Sequence, residues 1–213
     1  MTGATRVTGD ISARTKIIEA ARRVFVNPGY AAATVKQLAE AAEVSVQSVY
    51  FVFGNKPSVL AALLDVSVSG DEARVSTLDR PWVAAALGAP HPLGQLRIQV
   101  HHGRLILERT ADILLALRAA ASADEDAALL WHINREQRRT VQQHLMIGLV
   151  EKAPTVDLET AVNTALSLSS AETFTDLVTD AGWSGQRYEE WVVDTLSATL
   201  GLDRQPKSRP RSG

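Results

Sequence analysis

TVKQLAEAAEVSVQSVY, residues 34–50, followed by FVFGNK, residues 51–56, is the stretch on which the fold turns. Thr34 and Ser45 each stand just ahead of a short apolar-periodic run. Each offers a side-chain oxygen to the free backbone N–H groups of a helix's first turn. The pattern predicts one short helix from Thr34 through Ala41 and a second opening at Ser45. Leu38 and Ala39 face inward from the first, Val44 plugs the turn, and Val49 faces inward from the second. Ala39 is small where the two helices touch, so they can cross closely, which is what a helix-turn-helix requires. The outward face of the second helix is then Val46, Gln47, Ser48, Tyr50 and Phe51. Those side chains suit a major groove: Gln pairs bidentately with adenine, Ser is adaptable, and Val or Phe meets a thymine methyl.

Working outward, a helix is expected from Ser12 or Ala13 to Val26, with Ile17, Ile18, Ala21, Val24 and Phe25 on one stripe. Asn27, Pro28 and Gly29 stop it. After Gly54-Asn55-Lys56 a longer helix begins, with Pro57 in its first turn, where a missing N–H costs nothing. A Gly/Asp/Arg-rich passage leading from about Ser69 to Pro81 and a second from Gly88 to Gly94 read as loops between helices. Gln95 to Ala121 is helical, with a break expected near Thr110. Asp124-Glu125-Asp126 opens a helix to about Val150, acidic where the macrodipole favours acid. Asp157 opens another to about Thr179, Gly182 interrupts, and Ser184 caps a last helix ending near Gly201. No run alternates as a strand would, and Ala and Leu dominate, so the fold class is all-α. The divisions are a disordered N-terminus (1–10), a helix-turn-helix domain (11–56), a helical ligand-binding and dimerisation domain (57–201) and a disordered basic tail (202–213) containing Pro206 and Pro210.

Charge follows the same division. The formal net charge is −2 over 213 residues, but residues 1–60 sum to +3, residues 61–200 to −8 and residues 201–213 to +3. A basic end on an acidic body is what a chain needs when only one end approaches a polyanion. The sequence has no cysteine. That excludes a disulfide framework, thiolate zinc sites and a cysteine nucleophile, and it fits a reducing cytoplasm. No signal peptide or membrane span is evident: Ile113 to Ala123 is interrupted by Arg118, well short of the roughly 20 apolar residues a span needs. No GxGxxG, GxSxG or phosphate-binding glycine loop is present, so an enzyme is not expected. No cofactor or metal is expected either.

Over Arg14 to Leu60 the sequence resembles the TetR family of transcriptional regulators. The resemblance rests on the helix ending at Phe25, Gly29-Tyr30, the Thr34 helix with Leu38-Ala39, Val44-Ser45, then Tyr50, Phe53 and Asn55-Lys56. It implies a DNA-binding N-terminal domain, a larger helical domain that binds a ligand and dimerises, and repression of an operator relieved by a small-molecule inducer. Carried over residue by residue, Tyr50, Lys56 and the Thr34 cap correspond to phosphate contacts, Val46, Gln47 and Ser48 to base contacts. Lys36 reaches a phosphate or is a solvated helix-face lysine. Ser45 caps the reading helix. There are three departures. Glu43 stands where the family has Gly in a left-handed turn, Phe51 stands where a polar residue is usual, and Pro57 stands where an acid is common. The first two keep a second reading open, a helical interaction protein of the same fold that does not bind DNA.

In the body, Ala161, Ala165, Leu168 and Ser169, with Trp191, Thr195 and Ala198, offer small and apolar faces that pair across a two-fold axis in a homodimer or cover the chain's own core. Arg104, Arg109 and Asp112 lie in an otherwise apolar helix. They orient a ligand in a pocket or sit in surface pairs. His101 and His102 are adjacent, about 100° apart on a helix, and cannot share one metal. His132 and Glu136 lie four apart on one face, the spacing of a metal pair and also of an ordinary exposed pair.

Overall fold

The computed structural model describes residues 12–70, 75–154 and 156–202, and among them every regular element is a helix. The disorder expected for residues 1–10 and 203–213 lies outside the described residues. Leu202 belongs to the fold, since its N–H donates to the Ser197 carbonyl at 2.9 Å.

Helix α1, Ala13–Val24, starts on Ser12, whose Oγ accepts from the Thr15 N–H at 3.2 Å, and buries Ile17, Ile18, Ala20 and Ala21. It closes two residues before Val26. The chain loosens into a wide turn, Phe25–Gly29, in which Asn27 takes φ −140°, ψ 113°. Gly29 follows at φ +111°, a conformation that costs glycine little.

Helix α2, Val35–Ala41, opens on a capping box: the Gln37 N–H donates to Thr34 Oγ1 at 3.2 Å, and the Thr34 N–H donates to Gln37 Oε1 at 2.8 Å. Two orphan donors are satisfied at once. Helix α3, Val46–Phe53, opens on Ser45, whose Oγ accepts from the Ser48 N–H at 3.0 Å. Between α2 and α3 the chain turns through Glu43 at φ 55°. Gly54, at φ +78°, closes α3. Helix α4, Lys56–Ser69, follows at once, with Pro57 in its first turn as expected.

A short 3₁₀ turn, Thr77–Asp79, precedes α5, Pro81–Leu87. Helix α6 runs Pro92–Ala120 without a break. The interruption expected near Thr110 is absent because this buried side chain bonds within its own helix, its Oγ1 donating to the Ile106 carbonyl at 2.9 Å. The helix also starts earlier than Gln95, with Pro92 at its first position, where a missing donor is harmless. Helix α7, Glu125–Lys152, begins where Asp124 accepts from the Ala127 N–H at 2.8 Å.

The helix expected from Asp157 to Thr179 is two helices. Helix α8, Leu158–Leu168, ends at Ser169, and Ser170 turns to ψ 157°. Ser170 Oγ accepts from the Thr173 N–H at 3.1 Å and starts α9, Ala171–Phe174, which widens into a π turn over Thr175–Asp180. Two consecutive serines offer the backbone an alternative partner, and the second restarts the helix as its cap. Helix α10, Gly185–Leu200, is capped by Ser184 and ends at left-handed Gly201, as read from the sequence.

The described residues form two compact units. One gathers those up to Asp65 together with Ala116–Leu130; the other gathers Val66–Leu115 with those from Trp131 onward. In the first, α1, α2 and α3 pack on one another. Ile17, Phe25, Leu38 and Val49 are buried there, as are Leu117, Ala120 and Ala127. In the second, Trp82, Leu87, Ile98 and Val141 pack on a buried group of Val83, Ala86 and Leu145. Gln95 is fully buried beside them, its Nε2 donating to the Leu145 carbonyl at 2.6 Å, and Lys152 Nζ donates to the Leu87 carbonyl at 2.8 Å. Helices α8 and α10 pack together, and Tyr188 Oη donates to the Leu168 carbonyl at 2.8 Å.

Candidate functional site

Four physical choices present α3. Its inner face is anchored by Val49, 1 % exposed, against the α1–α2 layer, where Leu38 and Ala39 are equally buried. Its first turn is closed by Ser45. Its approach angle is set by the tight turn, in which the Val44 N–H donates to the Ala39 carbonyl at 3.0 Å. Its far end is stopped by Gly54. What remains faces water: Val46 is 39 % exposed, Tyr50 52 % and Phe51 93 %, and Gln47 is exposed with them. Ser48 is half-buried, its hydroxyl 2.8 Å from that of Ser45, so it also supports the cap. Thr34 is exposed, with its hydroxyl in the capping box. Lys36 projects into solvent with a loose pairing to Glu40 at 3.8 Å. An exposed apolar ring as large as Phe51 loses free energy in water and gains it on any apolar surface it meets.

Lys56 departs from the expected phosphate contact. Its ammonium donates to the carbonyls of Tyr30 at 3.0 Å and Ala33 at 3.1 Å and lies 4.2 Å from the centre of the Tyr30 ring. Charge-assisted bonds and a cation–π contact hold it inward, so it fastens the turn before α2. Tyr30 in turn meets Phe25 edge-on at 5.1 Å. Its buried hydroxyl has no hydrogen-bond partner. Burial first, then Asp124 and Asp126, push the phenol up to about 12.

The second unit contains a cavity of about 410 Å³ between the end of α4, the start of α5 and the middle of α6. Arg109 lines it. Its Nε donates to the Ser67 carbonyl at 2.8 Å and an Nη to the Val68 carbonyl at 3.1 Å. The other two residues expected to orient a ligand do not line it. Arg104 Nε donates to Glu189 at 2.8 Å, and its Nη1 pairs with Glu108. Asp112 is exposed, and its Oδ1 accepts from the Ile113 N–H at 2.8 Å. Sequence reasoning missed Trp82 and His102, whose rings stack in the cavity wall at 5.0 Å and 14°. The pairing of α5 with α6 that brings them together leaves no local pattern. Burial, then His101 and Arg109, push the His102 imidazole below its ordinary value, with Glu189 opposing.

Of the residues expected to face a second protomer, Ala161 and Ala165 are buried by the chain's own core, their small side chains lying in the close packing of their unit. Leu168, Ser169, Trp191 and Thr195 are half-buried, and Ala198 is exposed. No group of histidine, aspartate and glutamate able to hold a metal occurs among the described residues. Nor, among them, is any single helix long and apolar enough to cross a membrane.

Residues 17–63 match the family model described as bacterial regulatory proteins, tetR family. No curated protein matches the chain in sequence. Solved structures share its fold. The fatty acid degradation regulator FadR from Bacillus halodurans is 22 % identical with a TM-score of 0.69, covering 90 % of this chain and 98 % of that one. A transcriptional regulator FadR from Bacillus subtilis, solved with stearoyl-CoA, is 16 % identical with a TM-score of 0.68, covering 85 % and 96 %. A putative TetR-family transcriptional regulator from Rhodococcus sp. is 14 % identical with a TM-score of 0.65, covering 88 % and 98 %.

Proposed function

We propose, taking the tetR-family domain of residues 17–63 as the premise, that this chain is a sequence-specific DNA-binding regulator that lays α3 in the major groove of double-stranded DNA. The observation that carries the reading is the outward face of α3, on which Val46, Gln47, Tyr50 and Phe51 are all exposed while Val49 is locked inside. Gln47, Val46 and Ser48 meet base edges, and Phe51 meets a thymine methyl. Tyr50, Lys36 and the capped N-terminus at Thr34 meet phosphates, which fix the register without reading sequence. Ser45 sets the helix they stand on, and Lys56 contributes by holding the turn beneath.

The chain is a cytoplasmic regulator and not an enzyme. As a homodimer it places two α3 helices in successive major grooves of a pseudo-palindrome, roughly 34 Å apart. The outer sides of α8 and α10 form the interface, through Leu168, Ser169, Trp191, Thr195 and Ala198. Repression ends when a small molecule in the second unit favours the state with the wrong spacing. A differential affinity of a few kcal/mol suffices.

Selection of bound duplexes from a random pool, with the oligomeric state followed by sedimentation, tests the reading. A two-fold-symmetric consensus bound by dimers is the expected result. Gln47→Ala then relaxes the preference at one base position per half-site and leaves the others intact. The exposed ring of Phe51 favours a second reading, a helical protein whose α3 docks on an apolar protein surface. Failure to enrich any duplex would overturn the first reading and leave the second standing.

A further inference from the structure

The helix proposed to enter the major groove carries no charge. None of the side chains of α3, Val46–Phe53, is acidic or basic. Recognition of guanine in the major groove relies on Arg or Lys bonded to O6 and N7, and recognition of cytosine on Asp or Glu accepting from N4. Helix α3 offers neither. Lys56, which follows it in the chain, is drawn inward onto the Tyr30 and Ala33 carbonyls. Ser48, a residue type that can bond any base, is half-buried with its hydroxyl 2.8 Å from that of Ser45. What α3 does present is an amide, at Gln47, and apolar groups, at Val46 and Phe51. Phe51, 93 % exposed, is the most exposed large apolar side chain among the described residues. Gln47 and Phe51 stand four residues apart, one above the other on a single face, about 6 Å along the axis and so less than two base-pair steps of about 3.4 Å.

We infer that this chain discriminates among duplexes through the C5-methyl group of thymine, with Phe51 as the residue that carries the discrimination and Gln47 fixing an adenine within about two base pairs of it. The inference rests on the reading of the chain as a DNA-binding regulator. The C5-methyl is the one apolar group that a base pair presents on its major-groove edge, and a ring held in water gains free energy by covering it. Burying one methyl is worth about fourfold in affinity, and about fifteenfold over the two half-sites of a dimer. Such a contact senses the methyl and not the rest of the pyrimidine. It follows that 5-methylcytosine, which sets the same group at the same place, is accepted in part where cytosine is refused.

The duplex enriched from a random pool by the full chain supplies the probe. Each of its thymines is replaced in turn by uracil, which keeps the pairing and the O4 acceptor and removes only the methyl, and affinity is read by fluorescence anisotropy. At one thymine per half-site the loss is expected to be about fourfold, and about fifteenfold with both replaced. At the same position 5-methylcytosine should bind about fourfold tighter than cytosine. Phe51→Ala, which touches no part of the core, should bind more weakly and should no longer tell thymine from uracil. Uracil tolerated at every thymine, 5-methylcytosine no better than cytosine, or uracil sensitivity that survives in Phe51→Ala would overturn the inference, while the enriched duplex keeps the regulator reading standing. A pool from which nothing is enriched overturns both and leaves the ring of Phe51 to an apolar protein surface.

Discussion

At the scale of the residue, Glu43 shows how much a single backbone angle costs. Its φ of 55° is in the left-handed region, where a side chain crowds the following carbonyl at about 1 kcal/mol. Glu43→Gly is expected to raise the stability by about 1 kcal/mol, part of it returned to the greater entropy of the unfolded glycine. Urea unfolding measures it. This strain was legible before any coordinates through the family resemblance alone, since Glu43 stands where the TetR family has Gly in a left-handed turn. Tyr30 was not legible in that way: nothing local says that its hydroxyl is buried without a partner or that Lys56 covers its ring. Removing an unsatisfied buried hydroxyl relieves a desolvation penalty, so Tyr30→Phe should be neutral or stabilising at pH 7. The same phenol gives a pH dependence. Its folded-state value, pushed up to about 12, lies above the ordinary 10, so the folded state favours the neutral ring. That contribution is complete below pH 10 and drains away as the pH rises toward 12. Denaturation midpoints at pH 8, 10 and 11 should fall for the wild type more steeply than for Tyr30→Phe.

At the scale of the element, caps decide where helices begin. Five of the expected starts, at Thr34, Ser45, Asp124, Asp157 and Ser184, carry the side-chain acceptor on the residue the sequence indicated, and Ser12 settles the choice left between Ser12 and Ala13. The misreadings fall where one residue type has two uses. Thr110 looked like an interruption and instead bonds back within α6. Ser169 and Ser170 looked like helix interior and instead separate α8 from α9. The face of α3 could be read because its anchors, Leu38, Ala39, Val44 and Val49, lie within twelve consecutive residues. The cavity could not, since Trp82 and His102 meet only after α5 and α6 have packed. Ser45→Ala should cost about 1 kcal/mol of stability by removing the cap. It should also weaken duplex binding beyond what Gln47→Ala does, because every contact on α3 depends on that first turn. Thermal unfolding and gel shift on the same protein separate the two effects.

At the scale of the whole molecule, charge is divided in the way the proposed DNA binding requires. Residues 61–200 sum to −8 and residues 1–60 to +3, so a duplex approached as proposed would attract residues 1–60 and repel residues 61–200. The division of the chain into compact units runs differently from the division by charge, because Ala116–Leu130 belongs with the residues up to Asp65. A fragment ending at Ser69 would lack Leu117, Ala120 and Ala127, all buried in the intact chain. Its melting temperature should fall by several degrees at least, since each lost apolar contact is worth on the order of 1 kcal/mol in so small a fold, and calorimetry would show it. The helix-turn-helix segment is therefore not a detachable cartridge. Grafting it onto a foreign effector requires transplanting a distant return segment with it, so recombination between related genes at a single breakpoint would hand the recipient an unfinished interior.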